Sequence, residues 1–143
     1  MNKTHIPIQK KKAQWYLVDA KNKNLGRLST QITVILRGKN KVEYTPYIKN
    51  LSYVIVINAK KVSVSGQKKS QKTYKRHSGR PGSLKIETFE QLNKRIPNRI
   101  VEKAVKGMLP KGPLGKKLFT QLKVYTGESH PHIAQRPELI SLI

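Results

Sequence analysis

The chain has no cysteine, which rules out disulfides, thiolate-ligated zinc and thiol nucleophiles, and fits a reducing compartment. It has few acids: seven Asp and Glu in 143 residues. Scattered singly, they are poor material for a catalytic carboxylate pair or a magnesium site. Long hydrophobic runs are missing too. No apolar run approaches the roughly 18 residues that span a bilayer, so no membrane partner is expected. The N-terminus, Met1 to Pro7, shows neither the apolar stretch nor the small-residue cleavage site of a secretory signal. It is also too short and lysine-rich for a transit peptide. The expectation is a protein that works where it is made.

Basic charge is what the chain has in excess. Thirty Lys and Arg against seven acids give a formal charge of +23. So much like charge destabilises a folded body by self-repulsion unless a polyanion neutralises it. Phosphate backbones do this best, because each docked cation releases condensed counterions. The alternative, a merely solvated basic surface, fits less well, since such surfaces mix both signs. Between Glu43 and Glu87 there is no acid but ten cations: Lys49, Lys60, Lys61, Lys68, Lys69, Lys72, Lys75, Arg76, Arg80 and Lys85. Between Glu102 and Glu128 there are six lysines and again no acid. Lysine outnumbers arginine 23 to 7, the bias of AT-rich coding sequence in an organelle or a low-GC bacterium.

Apolar patterning places these cations on elements. Residues 1–13, ending near Lys10-Lys11-Lys12, read as a basic arm that orders on a partner. Trp15–Val18 reads as a strand. Leu25, Leu28, Ile32 and Ile35 mark a helix from Leu25 to Arg37, which Gly38 ends. A loop to Asn50 is basic at its start. Tyr53–Ile57 is apolar without alternation, as in a parallel strand buried on both faces. Val62 and Val64 suggest a short strand, 67–83 a turn-rich basic loop, and Leu84–Thr88 another strand followed by a short helix from Phe89. Pro97 opens a helix with an apolar stripe of Ile100, Val101, Ala104, Val105 and Met108. A third helix starts at Pro113 and carries Leu114, Leu118 and Leu122. Val124-Tyr125 is a last strand, and Gly127 begins an extended tail. Strands alternating with helices in a chain of this length indicate one α/β domain with a mainly parallel sheet. The expected division is a basic arm over 1–13, an RNA-binding body over 14–127 and a tail over 128–143.

The candidate contacts follow from charge and loop chemistry. In the 67–83 loop, Lys68, Lys69, Lys72, Lys75, Arg76 and Arg80 can hold phosphates, and Tyr74 or His77 can stack on a base. Arg99, Lys103 and Lys106 share a helix face turned from the apolar stripe and could track a phosphate ridge. Lys111, Lys116 and Lys117 surround the start of the next helix. Arg37, Lys39 and Lys41 stand at the start of the 38–50 loop. His130, His132 and Arg136 in the tail suit phosphate or base contact, or packing; a metal there lacks a third nitrogen or sulfur ligand. Gly107 to Gly112 has the glycine spacing of a phosphate loop, but Pro113-Leu114 stand where Lys-Ser/Thr is required. Ser78 beside His77 has no acid near it in sequence. No catalytic residue, metal, cofactor or small-molecule substrate is expected. The rivals are a nucleotide-dependent enzyme on the same fold and a DNA-compacting protein.

The stretch Val105-Lys106-Gly107-Met108-Leu109-Pro110, then Gly115-Lys116, then Leu122 to Gly127, resembles the signature of large-subunit ribosomal protein thirteen. Trp15 to Ala20 with Leu25-Gly26-Arg27-Leu28, Leu36 to Lys39, Val54 to Ala59, Arg76 to Gly82 and His130 to Pro137 resemble further parts of that family in order. The resemblance covers residues 15–137 and is nearest the bacterial and plastid branch. It implies a three-layer α/β/α body around a four-stranded mainly parallel sheet. It also implies a non-catalytic protein embedded in large-subunit rRNA beside neighbouring ribosomal proteins, assisting assembly and translation. The central loop departs from the family pattern, with Arg80 in place of an aromatic and Ser83 in place of glycine. The N-terminal extension and the AT-rich bias favour a plastid-encoded copy, with a bacterial cytoplasm as the alternative.

Overall fold

The computed structural model describes residues 13–141. The expected basic arm lies, apart from Ala13, outside the described residues. Helix α1, Leu25–Arg37, has the bounds its periodicity predicts. The Asn24 side chain accepts the Gly26 N–H at its start, and Gly38, at φ 75°, ends it by donating to Ile35. Any side chain at Gly38 would also press on Asn50, whose amide donates to the Ile35 carbonyl and to Ser52 Oγ. The buried Gln121 in turn donates to the Asn50 carbonyl. This buried polar seam ties the end of α1 to the strand that follows it.

Strands β1 (Gln14–Asp19) and β2 (Ser52–Ile57) pair in parallel over their whole length. Val54, Ile55 and Val56 are completely buried, as the unalternating run predicts. A 3-10 turn, Ala59–Lys61, follows. The strand expected at Val62 to Val64 is only an isolated bridge between Asn24 and Ser63. The stretch expected to be a loop contains helix α2 (Lys68–Gln71) and strand β3 (Thr73–Arg76). Strand β3 pairs antiparallel with β4 (Lys85–Thr88), forming a separate hairpin. Helix α3 (Phe89–Arg95) opens on a capping box between Thr88 and Gln91. Helix α4 (Asn98–Met108) follows Pro97.

Helix α5 (Pro113–Phe119) is shorter than its leucine spacing suggests, because Leu122 belongs to β5 (Leu122–Val124). The C-terminal segment is not wholly extended. It contains a 3-10 turn, Ile133–Gln135, and strand β6 (Glu138–Leu139). All four strands of the main sheet run parallel, in the order β5-β2-β1-β6.

That order fixes the layers. The crossovers β1 to β2 and β2 to β5 advance in one direction, so right-handed connections put their helices on one face. Tyr16, Val18, Val54, Val56, Leu122 and Val124 meet α1, α3, α4 and α5 there in a single core. The return from β5 to β6 runs the other way and passes over the opposite face. On that face Trp15 stacks on Tyr53 at 4.4 Å, and His132 from the crossover lies 5.2 Å from Trp15.

Candidate nucleic-acid interface

Helix α4 organises the cations. Its buried side carries Ile100, Val101 and Val105, and its exposed side carries Arg99, Lys103 and Lys106. The buried face ends one residue later than expected, at Leu109 rather than at Met108. Met108 is 42 % exposed, and Leu109 occupies the buried position in its place.

Arg99 and Lys103 face the β3–β4 hairpin. Along with Tyr74, Arg76, Lys85, Glu87 and Arg95 they line a hollow of 120 Å³. Glu87 accepts two bonds of 2.7 Å from Arg95 Nη2. The Arg95 bond holds the Glu87 carboxyl below its ordinary pKa, with the Lys103 and Arg76 charges acting in the same sense. The Lys72 and Lys103 ammonium groups lie 5.7 Å and 5.1 Å from the Tyr74 ring centre. Burial raises the Tyr74 hydroxyl above its ordinary pKa.

One turn further along α4, Lys106 sits over the Phe119 ring at 5.8 Å. It borders a second hollow of 260 Å³ with an apolar floor of Leu109, Pro110 and Phe119 and a rim that includes Lys111 and Lys116. This hollow depends on Gly115, because any Cβ there would run into the Pro110 carbonyl. A third opening, of 440 Å³, lies between α1 and the end of α4, where Arg37 and Lys39 stand beside Thr30, Thr33, Val34 and Met108.

Eight of the nineteen expected contacts gather around one helix. Arg76, Arg99 and Lys103 share the first hollow, Lys106, Lys111 and Lys116 the second, and Arg37 and Lys39 the third. Lys117 is exposed on α5, and Lys69, Lys72, Lys75, His77 and Arg80 are exposed on and around the hairpin. Lys68 donates to Ser65, and the half-buried Lys41 donates to Asn50 within the polar seam. The tail residues lie apart. The His132 ring bonds the Tyr125 hydroxyl at 2.8 Å and packs on Trp15, so it closes the second sheet face. His130 Nδ1 accepts the His132 N–H. Arg136 is exposed, with a left-handed backbone just after the 3-10 turn.

Lys85 and Arg95 were not among the expected contacts. The signal for Lys85 was its place in the acid-free block. Arg95 gave none, because its position depends on Glu87 across a hairpin that short polar strands conceal.

A family model described as Ribosomal protein L13 matches residues 13–131. A protein of Porphyra purpurea named large ribosomal subunit protein uL13c is 67 % identical over 138 residues, covering 96 % of this chain and 97 % of its own. The protein of the same name from Pyropia yezoensis is 64 % identical over equal coverage. Large ribosomal subunit protein uL13 of Acaryochloris marina is 59 % identical over 143 residues, covering 99 % of this chain and 95 % of its own.

Proposed function

The chain belongs to the ribosomal protein L13 family, and from that premise we propose how its geometry serves the large ribosomal subunit. It is a structural constituent of that subunit and not an enzyme. It binds rRNA and neighbouring ribosomal proteins, and its place is the plastid ribosome.

The proposed mechanism is electrostatic and geometric. A rigid α/β frame holds α4, the hairpin, the start of α5 and the end of α1 at fixed separations. Each presents cations to a different stretch of rRNA. Neutralising phosphates where these stretches meet lowers the repulsion between them. Because the frame does not deform, it favours one packing of the RNA. The arm 1–13 and the exposed parts of 128–143 extend these contacts to RNA or to adjoining proteins. The observation that carries this reading is the gathering of Arg37, Lys39, Arg76, Arg99, Lys103, Lys106, Lys111 and Lys116 around α4, with no ion pair to any of them among the described residues.

The test is binding of the full-length protein to large-subunit rRNA across a salt series. Changing Lys72, Lys75, Arg76 and Arg80 together to Ala is expected to weaken binding and to flatten the salt slope by about three, at most roughly 0.9 per lost phosphate contact. An unchanged slope would remove the hairpin from the interface.

A further inference from the structure

The hollow between the hairpin and α4 brings five cations, Arg76, Lys85, Arg95, Arg99 and Lys103, around a single acid, Glu87. In the β3–β4 ladder Arg76 stands directly opposite Lys85, and Tyr74 opposite Glu87. Side chains two apart share a face, so all four project to the same side of the hairpin. Like charges directly opposite one another destabilise a strand pair. Arg99 and Lys103, one turn apart on α4, repeat the same unfavourable arrangement on the facing wall.

The one acid at the hollow relieves this only in part: Glu87 feels the charges of Arg76 and Lys103, but its ion pair is with Arg95. Both oxygens of Glu87 accept from Arg95, which fixes that guanidinium at the rim. Arg76, Lys85, Arg99 and Lys103 have no acidic partner among the described residues. The Tyr74 ring gathers Lys103 inward, and the solvent-shielded Tyr74 hydroxyl has no hydrogen-bond partner among the described residues. A volume of 120 Å³ holds about four waters at roughly 30 Å³ each. That is ample room for one tetrahedral oxyanion within reach of the surrounding cations.

We propose that this hollow is a dedicated seat for a single phosphodiester group of the RNA backbone. Arg76 and Arg99 grip its oxygens from opposite walls, Lys85 and Lys103 neutralise its charge, and Glu87 positions Arg95 at its edge. The proposal rests on the rRNA-binding reading and deepens it. It converts a diffuse basic surface into one fixed point from which the register of protein on RNA is set.

Inorganic phosphate is the probe, titrated into the full-length protein at constant ionic strength made up with chloride. Arginine Nε–Hε signals of Arg76 and Arg99 are expected to shift and saturate, and the response to disappear in R76Q/R99Q. A drift that never saturates and spreads over the whole basic surface would overturn the seat. Thermal melting supplies a second readout. K85Q is expected to melt higher than wild type without phosphate, and to lose that advantage as phosphate is added. A K85Q protein that melts lower in both conditions would contradict the strained like-charge pair.

Against large-subunit rRNA, R76Q/R99Q is expected to bind about tenfold more weakly, with the salt slope reduced by about one. Saturable phosphate binding with unchanged rRNA affinity would assign the hollow to free phosphate and overturn the backbone seat while leaving the ribosomal reading intact. Failure of the wild-type protein to bind rRNA would overturn both.

Discussion

At the scale of single residues, space decides more than chemistry. Gly115 lies where α5 crosses the Pro110 carbonyl, with no room for a methyl group. Gly115→Ala is expected to lose about 1–3 kcal/mol of stability, read as a lowered denaturant midpoint. An unchanged midpoint would mean that the crossing can open. Helix phase makes an equally direct test. Met108→Asp is expected to cost less than about 1 kcal/mol, because the side chain is 42 % exposed, whereas Val105→Asp should prevent folding by burying an unpaired charge. Equal damage from the two would refute the placement of the α4 core face. Asp19 supplies a pH handle. Burial pushes its carboxyl upward, but the Lys21 N–H, the Asn58 amide and the charges of Lys21 and Lys61 outweigh this and hold it below its ordinary pKa. Its stabilisation is therefore present above the unfolded value of about 4 and is lost as pH falls through the lower folded value. Below about pH 4 the wild-type melting temperature should fall more steeply than that of Asp19→Asn, and parallel curves would show that Asp19 is not linked to folding. Gly38 and the row Arg99, Lys103 and Lys106 were legible from sequence, because each depends on spacing within one helix. The placement of Lys85 opposite Arg76, the Arg95 pair with Glu87 and the shielding of the Tyr74 hydroxyl were not, because each depends on a second element.

At the scale of elements, the long periodic segments were legible and the short polar ones were not. Helix α1 and the buried strand β2 follow from their apolar spacing alone. Strand β4 falls within the strand expected at Leu84–Thr88, but its partner β3, four largely exposed residues with little apolar alternation, lies inside the stretch 67–83 that reads as a loop. Leu122 sits at helical spacing from Leu118, yet it lies in β5, because the chain turns at Thr120 and Gln121. Strand β6 is two residues long, and its pairing with Tyr16 and Leu17 bridges more than a hundred positions of sequence. The C-terminal segment thus completes the sheet and covers its second face. Ending the chain at residue 127 is expected to lower the melting temperature and to shift Trp15 fluorescence to the red, since His132 and its crossover no longer cover the ring. A truncated protein with wild-type melting and emission would make the segment an appendage.

At the scale of the whole molecule, a charge of +23 and an α/β frame act against each other in isolation and together on RNA. The free protein is expected to gain melting temperature as salt rises, because screening relieves self-repulsion. Its affinity for rRNA should fall over the same range. A free protein indifferent to salt would mean that its charges are too well separated to strain the fold. Nucleic-acid binding was legible at this scale from total charge and from the acid-free blocks, while the ribosomal role was legible only from the motifs that resemble the family. Which cations act together required the fold, since α4 brings residues from 37 to 116 around one helix.

A built-in constituent of the large subunit, held by many phosphate contacts on a rigid frame, should resist removal by salt. Sedimentation of a tagged full-length copy through a sucrose gradient, from its native lysate and after a high-salt wash, tests this most directly. The protein is expected to stay with large subunits and whole ribosomes through the wash. A protein left at the top of the gradient, or stripped entirely by modest salt, would contradict this.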